Sequence, residues 1–434
     1  SVDWLNNNPP NQGVNWYCAQ ECSIRLINLL LCNDMIGQQG SVATFNSLVE
    51  VHCRRIQSTT GYGRSQNNNH GITEAAALYI GGIWLKENVE NCEEYARFIL
   101  VSRAMLLEGV SKLILPDGGF SQYSTNYHRL LMDTLVQVEA WRAKLAIEPF
   151  PIDYYERVRL ALGWLKSVCE PENGLTPNLG ANDGARLFHL SDEPYEDFRP
   201  TIRLADYYFG VGVIFDTEVK EFAWNQNIEE INSIDTVKVS RVFLNFGLVT
   251  LHNDALDVFV RFANFEFRPS QADCLHVDLF AGGKNVLCDA GSYSYHDHEH
   301  LYFSGTGCHN TIVFDDQDQM PRVGKFLFGQ WLEMDEIAAI ESQGVSKSWK
   351  GQFTDTNGNC HRRQVLVDRN CLRVLDKIKG PFKSGTMNWH LGDSSWMLTD
   401  SGARSRSFEI SVQTSGPTFI ELGQGWRSRM YQHK

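Results

Sequence analysis

The chain is 434 residues long, 43% hydrophobic and 21% charged, which is enough for two domains of ordinary globular composition. Its 39 basic residues stand against 52 acidic ones, a net charge of −13. That balance argues against a nucleic-acid binder, and a polyanionic substrate would need a locally basic cleft. Arg54-Arg55, Arg64, Arg129 and Arg362-Arg363 could build one; the plainer reading of each is a solvated surface charge. The eleven cysteines are odd in number and irregularly spaced. Several sit in apolar runs and read as small buried hydrophobes rather than a disulfide framework, a usage that points to a reducing compartment. No leader and no apolar run of membrane-spanning length is visible.

The first half reads as helical. Ile24, Ile27, Leu30 and Leu31 recur at helical spacing, as do Phe45, Leu48, Val49 and His52. Glu74 to Leu85 is Ala-rich and apolar nearly all round, the pattern of a helix buried on two sides. Leu130 to Val138 and Val158 to Leu165 continue the series. Turn signals at Pro116-Asp117-Gly118-Gly119, Pro149-Phe150-Pro151 and Pro171-Glu172-Asn173-Gly174 separate the segments. Helices with short links predict stacked hairpins in an α/α toroid. The polar stretch Asn225 to Asp235 then divides the chain, with a helical domain over 1–230 and a second domain over 231–434. From about 240 the runs become short and strand-like: Arg241–Leu251, Ala255–Phe262, Asn285–Asp289, Thr311–Phe314, Gln364–Val367 and Leu372–Leu375. Separated by turn residues, they predict an antiparallel β-sandwich.

Two regions carry chemistry. Asn69 and His70 follow a run of asparagines suited to capping a helix, and Glu74 lies one turn on, where it can orient the imidazole. Tyr127 sits in a polar setting with Gln122 and Arg129. In the second half, Gln271 to Asn310 concentrates His276, Asp278, Asp289, Tyr295 and His309. Titratable groups so close together cost free energy to bury unless paired. His276 and Asp278 alternate on a strand and share a face; Asp289 ends the next strand and His309 begins another. Asp278, Asp289 and His309 could hold a divalent cation, zinc first with calcium or manganese as alternatives, or form a hydrogen-bonded network. The alternating His296, His298 and His300 look like a metal tract but read better as a polar surface loop.

Together these segments resemble the heparinase II/III-like polysaccharide lyases. The likeness rests on Asn69-His70 with Glu74, on Tyr127-His128, on the His276 to Asn310 block, on Pro177 to Gly184, and on Gly425-Trp426-Arg427-Ser428-Arg429. It implies an α/α toroid followed by an antiparallel β-sandwich, with further helix before and a further strand after the part seen here. It also implies an acidic, uronate-containing polysaccharide as partner, no organic cofactor, and a periplasmic or cell-envelope setting at odds with the cysteine usage. The family reaction is β-elimination: the C5 proton of a uronic acid is removed and the glycosidic oxygen at C4 is expelled. Its main need is fixed donors aimed at the uronate carboxylate. By resemblance Asn69 and His276 fill that role, and Tyr127 shuttles the proton as base and acid. Its phenol would need a nearby positive charge, from His276, Arg129 or a metal, to ionise. His70 would be an alternative base and Tyr295 an accessory tyrosine, with Glu74, Gln122 and Arg129 lining the substrate. Many family members carry His where Asp278 stands. Two competing readings are a non-catalytic glycan-binding or surface-polysaccharide assembly protein on the same fold, and a glycoside hydrolase using Glu74 and Asp183 as paired carboxylates. The two halves of the site predict a cleft between the domains.

Overall fold

The computed structural model describes residues 2–37, 40–90, 93–187, 192–212, 238–296, 299–392 and 395–433. The expected domain boundary at 230/231 and His298 of the histidine tract lie outside them. No helix among the described residues is long and apolar enough to cross a membrane.

The first half is helical: α1 (Val2–Asn7), α2 (Ala19–Ile36), α3 (Val42–Gln57), α4 (Thr60–Ser65), α5 (Asn69–Asn88), α6 (Glu93–Leu113), α7 (Thr125–Lys144), α8 (Ile152–Val168) and α9 (Arg199–Phe209). α5 is the hub, packed against α2, α3, α6 and α7, which is why its sequence is apolar on every side. Its start is capped by Asn68, whose side chain accepts the His70 N–H at 3.0 Å, as the asparagine run predicts. Gly81 lets α2 and α3 approach: a Cβ there would stand 2.5 Å from the Cys53 sulfur and 3.1 Å from Leu26.

The second half is antiparallel. β1 (Arg241–Phe243), β2 (Leu248–His252), β3 (Leu256–Arg261), β4 (Val277–Ala281) and β5 (Lys284–Leu287) form one sheet in sequence order. The expected single strand Arg241–Leu251 is in fact a hairpin, because the chain turns at Gly247, whose φ is +78°. Further on come β6 (Ile312–Phe314), the β7 (Arg322–Gly324) and β8 (Leu327–Phe328) hairpin, and a second large sheet. That sheet consists of β9 (Met334–Ile337), β10 (Glu341–Gln343), β11 (Ser346–Thr354), β12 (Cys360–Asp368) and β13 (Cys371–Lys379).

The central strands β2, β3 and β4 of the first sheet are buried on both faces, so they read as largely apolar runs. Leu248, Phe259 and Phe280 on one face join the helical core. Val249, Leu251, Val258, Val260 and Val277 on the other pack against Trp349, Phe353, Val365 and Val367 of the second sheet. Each such side chain contributes about 1.5–3 kcal/mol when fully buried. Asp278 pairs with Phe259 and Asp257 with Phe280 across β3 and β4, so Asp278 lies on the face toward the helices. An α/α toroid and a β-sandwich are thus joined through one shared sheet.

A loop from Pro177 to Gly184 is strapped onto the start of α7. The Ser124 hydroxyl donates to the Ala181 carbonyl at 2.6 Å, the Thr125 hydroxyl to that of Pro177 at 2.9 Å, and the Thr125 N–H to that of Leu179 at 3.1 Å. Gly180 makes the approach possible: its φ is +72° and a Cβ would stand 2.2 Å from the Tyr123 carbonyl oxygen. Gly180→Ala is therefore expected to lower unfolding free energy by about 1–3 kcal/mol from left-handed strain alone, read as a lower urea midpoint. An unchanged midpoint would show that the strap gives way freely.

Candidate active site

Tyr127 enters the site from the first turn of α7, its N–H held by the Ser124 hydroxyl at 3.1 Å. Its hydroxyl donates to Asp183 Oδ2 at 3.0 Å and lies 3.3 Å from the Tyr295 hydroxyl. The helical half and the sandwich therefore meet at two phenols. Asp183 comes from the strapped loop and is fixed by its neighbours. Its Oδ1 accepts from the Ala185 N–H at 3.0 Å and from the Asn126 amide at 3.3 Å. The Tyr195 hydroxyl stands 2.6 Å from Asn126 Oδ1 and 2.7 Å from Asn182 Oδ1, closing the network.

The surroundings of Tyr127 correct one expectation. Among the described residues, neither His276 nor Arg129 acts on its hydroxyl. Burial first, and then the neighbouring Tyr295 and Asp183, push its pKa well above the ordinary phenol value. Tyr127 is held as a neutral proton donor. Arg129, expected near substrate, is 1% exposed. Its guanidinium bonds Asn126 Oδ1 at 2.9 Å and the Tyr195 carbonyl, and stacks on the Tyr195 and Phe198 rings at 4.3 Å each. It builds the Asn126–Tyr195 network and does not line the cleft.

On the other side of the opening, Asn69 and His70 form the first turn of α5. The Gln122 side chain, expected to contact substrate, instead accepts the Asn69 N–H at 2.8 Å and so places that turn. His70 is 29% exposed, with Nδ1 3.8 Å from Glu74 Oε1. Burial lowers its pKa below the ordinary 6.5, and the charge of Asp183 works against that fall. At neutral pH it is a free base within electrostatic range of Asp183. Glu74 is 2% exposed and pressed against Gly63, where a Cβ would sit 2.5 Å from its carboxylate. Burial pushes its carboxyl up to about 7. It is buried beside His70, and among the described residues no contact between it and Asp183 is seen, so the carboxylate pair of the hydrolase reading is not observed.

His276, expected to meet the uronate, is fully buried. Its Nδ1 accepts the Asn310 N–H at 2.9 Å, which leaves the neutral ring's proton on Nε2. Burial lowers its pKa to about 4. Nε2 points inward, 3.9 Å from Asp278 Oδ2 and 3.9 Å from Asp289 Oδ2, and His309 Nε2 is 3.5 Å from the same Asp289 oxygen. The ring thus belongs to a buried cluster and does not open on the cleft. The expected cation set is not assembled either. Asp278 has both oxygens engaged, Oδ1 by the Asn285 amide at 2.5 Å and Oδ2 by the Asp289 N–H at 3.2 Å. Among the described residues no group of three or more His, Cys, Asp or Glu is arranged to hold a metal. The atoms lacking a hydrogen-bond partner are His276 Nε2, His309 Nε2 and Asp289 Oδ2, one carboxylate between two imidazoles. As arranged, these residues do not fit the expected ion, and no step of the chemistry below is routed through one.

The basic cleft expected of the arginines is also redirected. Arg54 pairs with Glu50 and Glu94, Arg64 with Glu108, and Arg362 with Glu336. Arg55 bonds the Trp16 and Tyr17 carbonyls. Arg363 is fully buried against Asp376. Reasoning from the sequence placed Asp183 in a familial loop but missed its bond to Tyr127, and it missed Asn126, Tyr195 and Tyr431. The signal for Asp183 was there: Asn182-Asp183-Gly184 forms consecutive side-chain turns, with Asn182 Oδ1 accepting the Gly184 N–H at 2.9 Å. The Gly425–Arg429 segment is a stitch. Ser428 bonds Asn178 through its carbonyl at 3.1 Å and Ser292 through its hydroxyl at 3.0 Å. It carries Tyr431 to the Tyr295 N–H, which donates to that phenol at 3.1 Å.

With that geometry in view, the comparisons with known proteins fall into place. Residues 2–187 match the family description "Heparinase II/III N-terminus" and residues 235–434 match "Heparinase II/III-like, C-terminal". The chain belongs to the heparinase II/III family. Among solved structures it is similar to heparinase III (16% identity, TM-score 0.66, 93% of this chain and 63% of that one). It is similar to a second heparinase III gene product (16%, 0.64, 92% and 62%). It also resembles a mutant of the heparan sulfate lyase HepC from Pedobacter heparinus (18%, 0.63, 92% and 60%). At such identities the likeness is one of fold, and the chain spans about three fifths of the length of these proteins. No curated protein matches the sequence.

The ion cluster yields a stability test. Asp289→Ala leaves the buried His309 facing no carboxylate and His276 facing only Asp278, and is expected to cost about 3–5 kcal/mol, measured by urea unfolding. A loss below about 1 kcal/mol would show that Asp289 is not the group balancing them.

Proposed function

We propose that this chain is a polysaccharide lyase that cleaves an acidic, uronate-containing polysaccharide by β-elimination. The observation that carries the reading is the pairing of a neutral phenol with a neutral imidazole around one carboxylate: Tyr127 donates to Asp183, and His70 lies within range of the same charge. β-Elimination needs a base for the C5 proton and an acid for the departing C4 oxygen. The C5–H electron pair becomes the C4–C5 double bond, and the C4–O bond breaks toward the leaving oxygen.

His70 is the better base. Its pKa lies below 6.5, so it is unprotonated at neutral pH, whereas the Tyr127 anion is opposed by burial, Tyr295 and Asp183. Tyr127 is then the acid that protonates the departing C4 oxygen; it is reprotonated from solvent as His70 releases the C5 proton to solvent, which restores both groups. Asn69 supplies an amide donor for the uronate carboxylate from the start of α5, where the helix dipole also favours negative charge. The fold and the name of the HepC relative make heparan sulfate the first substrate to try.

The hydrolase reading loses support because Glu74 is buried beside His70 and no contact between it and Asp183 is seen among the described residues. The assembled Tyr127–Asp183–Tyr295 junction favours turnover over a binding role alone, since such perturbed groups cluster where protons move.

Ultraviolet absorbance of the unsaturated product tests this directly. Tyr127→Phe and His70→Ala should each lower kcat about 10²–10⁴-fold. The pH profile separates the two candidate bases. With His70 as base, kcat/KM rises as His70 loses its proton below pH 6.5. It then stays level until the Tyr127 phenol ionises above pH 10. A rate that keeps climbing toward pH 10 would instead make Tyr127 the base. Reducing ends formed without absorbance would overturn the lyase reading.

A further inference from the structure

The β7–β8 hairpin lies against Tyr295 and has no part in the chemistry above. Its turn is Lys325-Phe326. The Phe326 ring sits 5.5 Å from the Tyr295 ring, edge to face, and 5.0 Å from His300, yet it is 43% exposed. Lys325 is exposed too, with its ammonium 5.5 Å from the centre of the Phe326 ring. An apolar ring and a cation thus stand side by side at the mouth of the Tyr127–Tyr295 junction.

The hairpin is anchored at both ends. His300 Nε2 stands 2.9 Å from the Lys325 carbonyl. A carbonyl only accepts, so this nitrogen carries the proton. At the base, Arg322 bonds the Ser304 hydroxyl at 3.2 Å and Asp318 at 3.3 Å, and stacks on Phe328 at 4.5 Å. The Gly329 N–H closes onto the Pro321 carbonyl at 2.8 Å. A tip fixed this firmly can present an aromatic face to a ligand at low entropic cost.

We infer that Lys325 and Phe326 form a recognition subsite for the sugar unit next to the reacting one: Phe326 stacks on the pyranose face and Lys325 pairs with a carboxylate or sulfate on the same ring. Sugar rings present C–H faces that pack on aromatic rings, and the cation selects a charged unit over a neutral one. Phe326 touches Tyr295, whose hydroxyl meets Tyr127, so an oligosaccharide engaged at the two phenols runs onto this tip. His300 is the positioning residue that holds the turn in place. The inference rests on the lyase reading for its substrate class and on the hairpin geometry for its location.

The test uses the full chain with two readouts, turnover of heparan sulfate by absorbance and calorimetric binding of a heparan sulfate oligosaccharide. Phe326→Ala should raise KM and Kd about tenfold with kcat within about twofold of the unmodified chain, and Phe326→Trp should restore both. Lys325→Gln should raise KM roughly two- to fivefold and flatten its salt dependence. His300→Ala should reproduce part of both losses. The Lys325→Gln midpoint should not move, and that of Phe326→Ala should fall by only a few degrees, since its half-exposed ring packs on Tyr295 and His300 alone at the tip's inner side. Binding that depends on Phe326 without turnover would sink the lyase reading and leave the subsite standing. Turnover unaffected by either tip variant would overturn the subsite and leave the lyase reading intact. Absence of both turnover and binding would overturn both.

Discussion

The site depends on how Tyr123 fastens one half of the molecule to the other. Its backbone is left-handed, with φ +52°, which swings the ring out of the helical half ahead of α7. The phenol oxygen then accepts two backbone N–H groups of the sandwich, Glu266 at 2.9 Å and Phe267 at 3.1 Å. Its ring packs on Phe246 and Phe265, with the buried Arg261 guanidinium 5.1 Å from the ring centre. Asp117 adds a second tie by accepting the Phe246 N–H at 2.9 Å. Four residues after Tyr123 comes Tyr127, so the joint and the proton donor share one short stretch of chain. A shift of even 1 Å at such a joint would separate the Tyr127 and Tyr295 hydroxyls, and reactions that depend on positioning are sensitive to displacements of about that size.

With the joint fixed, burial decides which groups hold protons. Tyr127, Tyr295, His276 and Asp278 are all removed from water, and in each case desolvation favours the neutral form. Tyr127 and Tyr295 thus stand as neutral phenols beside one carboxylate, Asp183. That arrangement suits elimination. On the proposed reading the uronate is already an anion, and the further charge that develops on it and on the leaving oxygen in the transition state meets neutral donors already in place.

Much of the fold was legible because it follows from periodicity. Helical spacing marked α2, α3, α5, α7 and α8, and the switch to short alternating runs marked the sandwich. The error at Arg241–Leu251 came from a tight turn whose signal, Gly247, was hidden in an apolar run that is buried on both faces. The site was legible only in part. Tyr127 and Tyr295 do meet, and His70 feels the charge of Asp183, the partner of Tyr127. His276 and Asp278 do share a face, as strand alternation requires, but alternation cannot say which of two faces meets solvent, and this one is covered by helices. Gln122 and Arg129 were read as substrate contacts from polarity and proximity alone. Their partners, the Asn69 N–H and Tyr195, lie 53 and 66 residues away in sequence, a separation at which no local pattern operates.

The arginines show why net charge was a poor guide to substrate recognition here. Arg129, Arg142, Arg261 and Arg363 are all buried, and each donates to at least one backbone carbonyl: those of Tyr195, Ile147, Phe246 and Asn310. They act as internal struts, a use that suits a planar fork of donors. Cations that look available in the sequence are thereby withdrawn from the surface. On the proposed reading, a chain with net charge −13 would meet a polyanion with neutral donors at the reacting sugar and with few, well-placed cations beside it. Asn69 at the helix start and Lys325 at the hairpin tip meet that description. Such a design trades long-range attraction for discrimination at close range, because a fixed amide and a single ammonium reward only a chain whose charges fall in register.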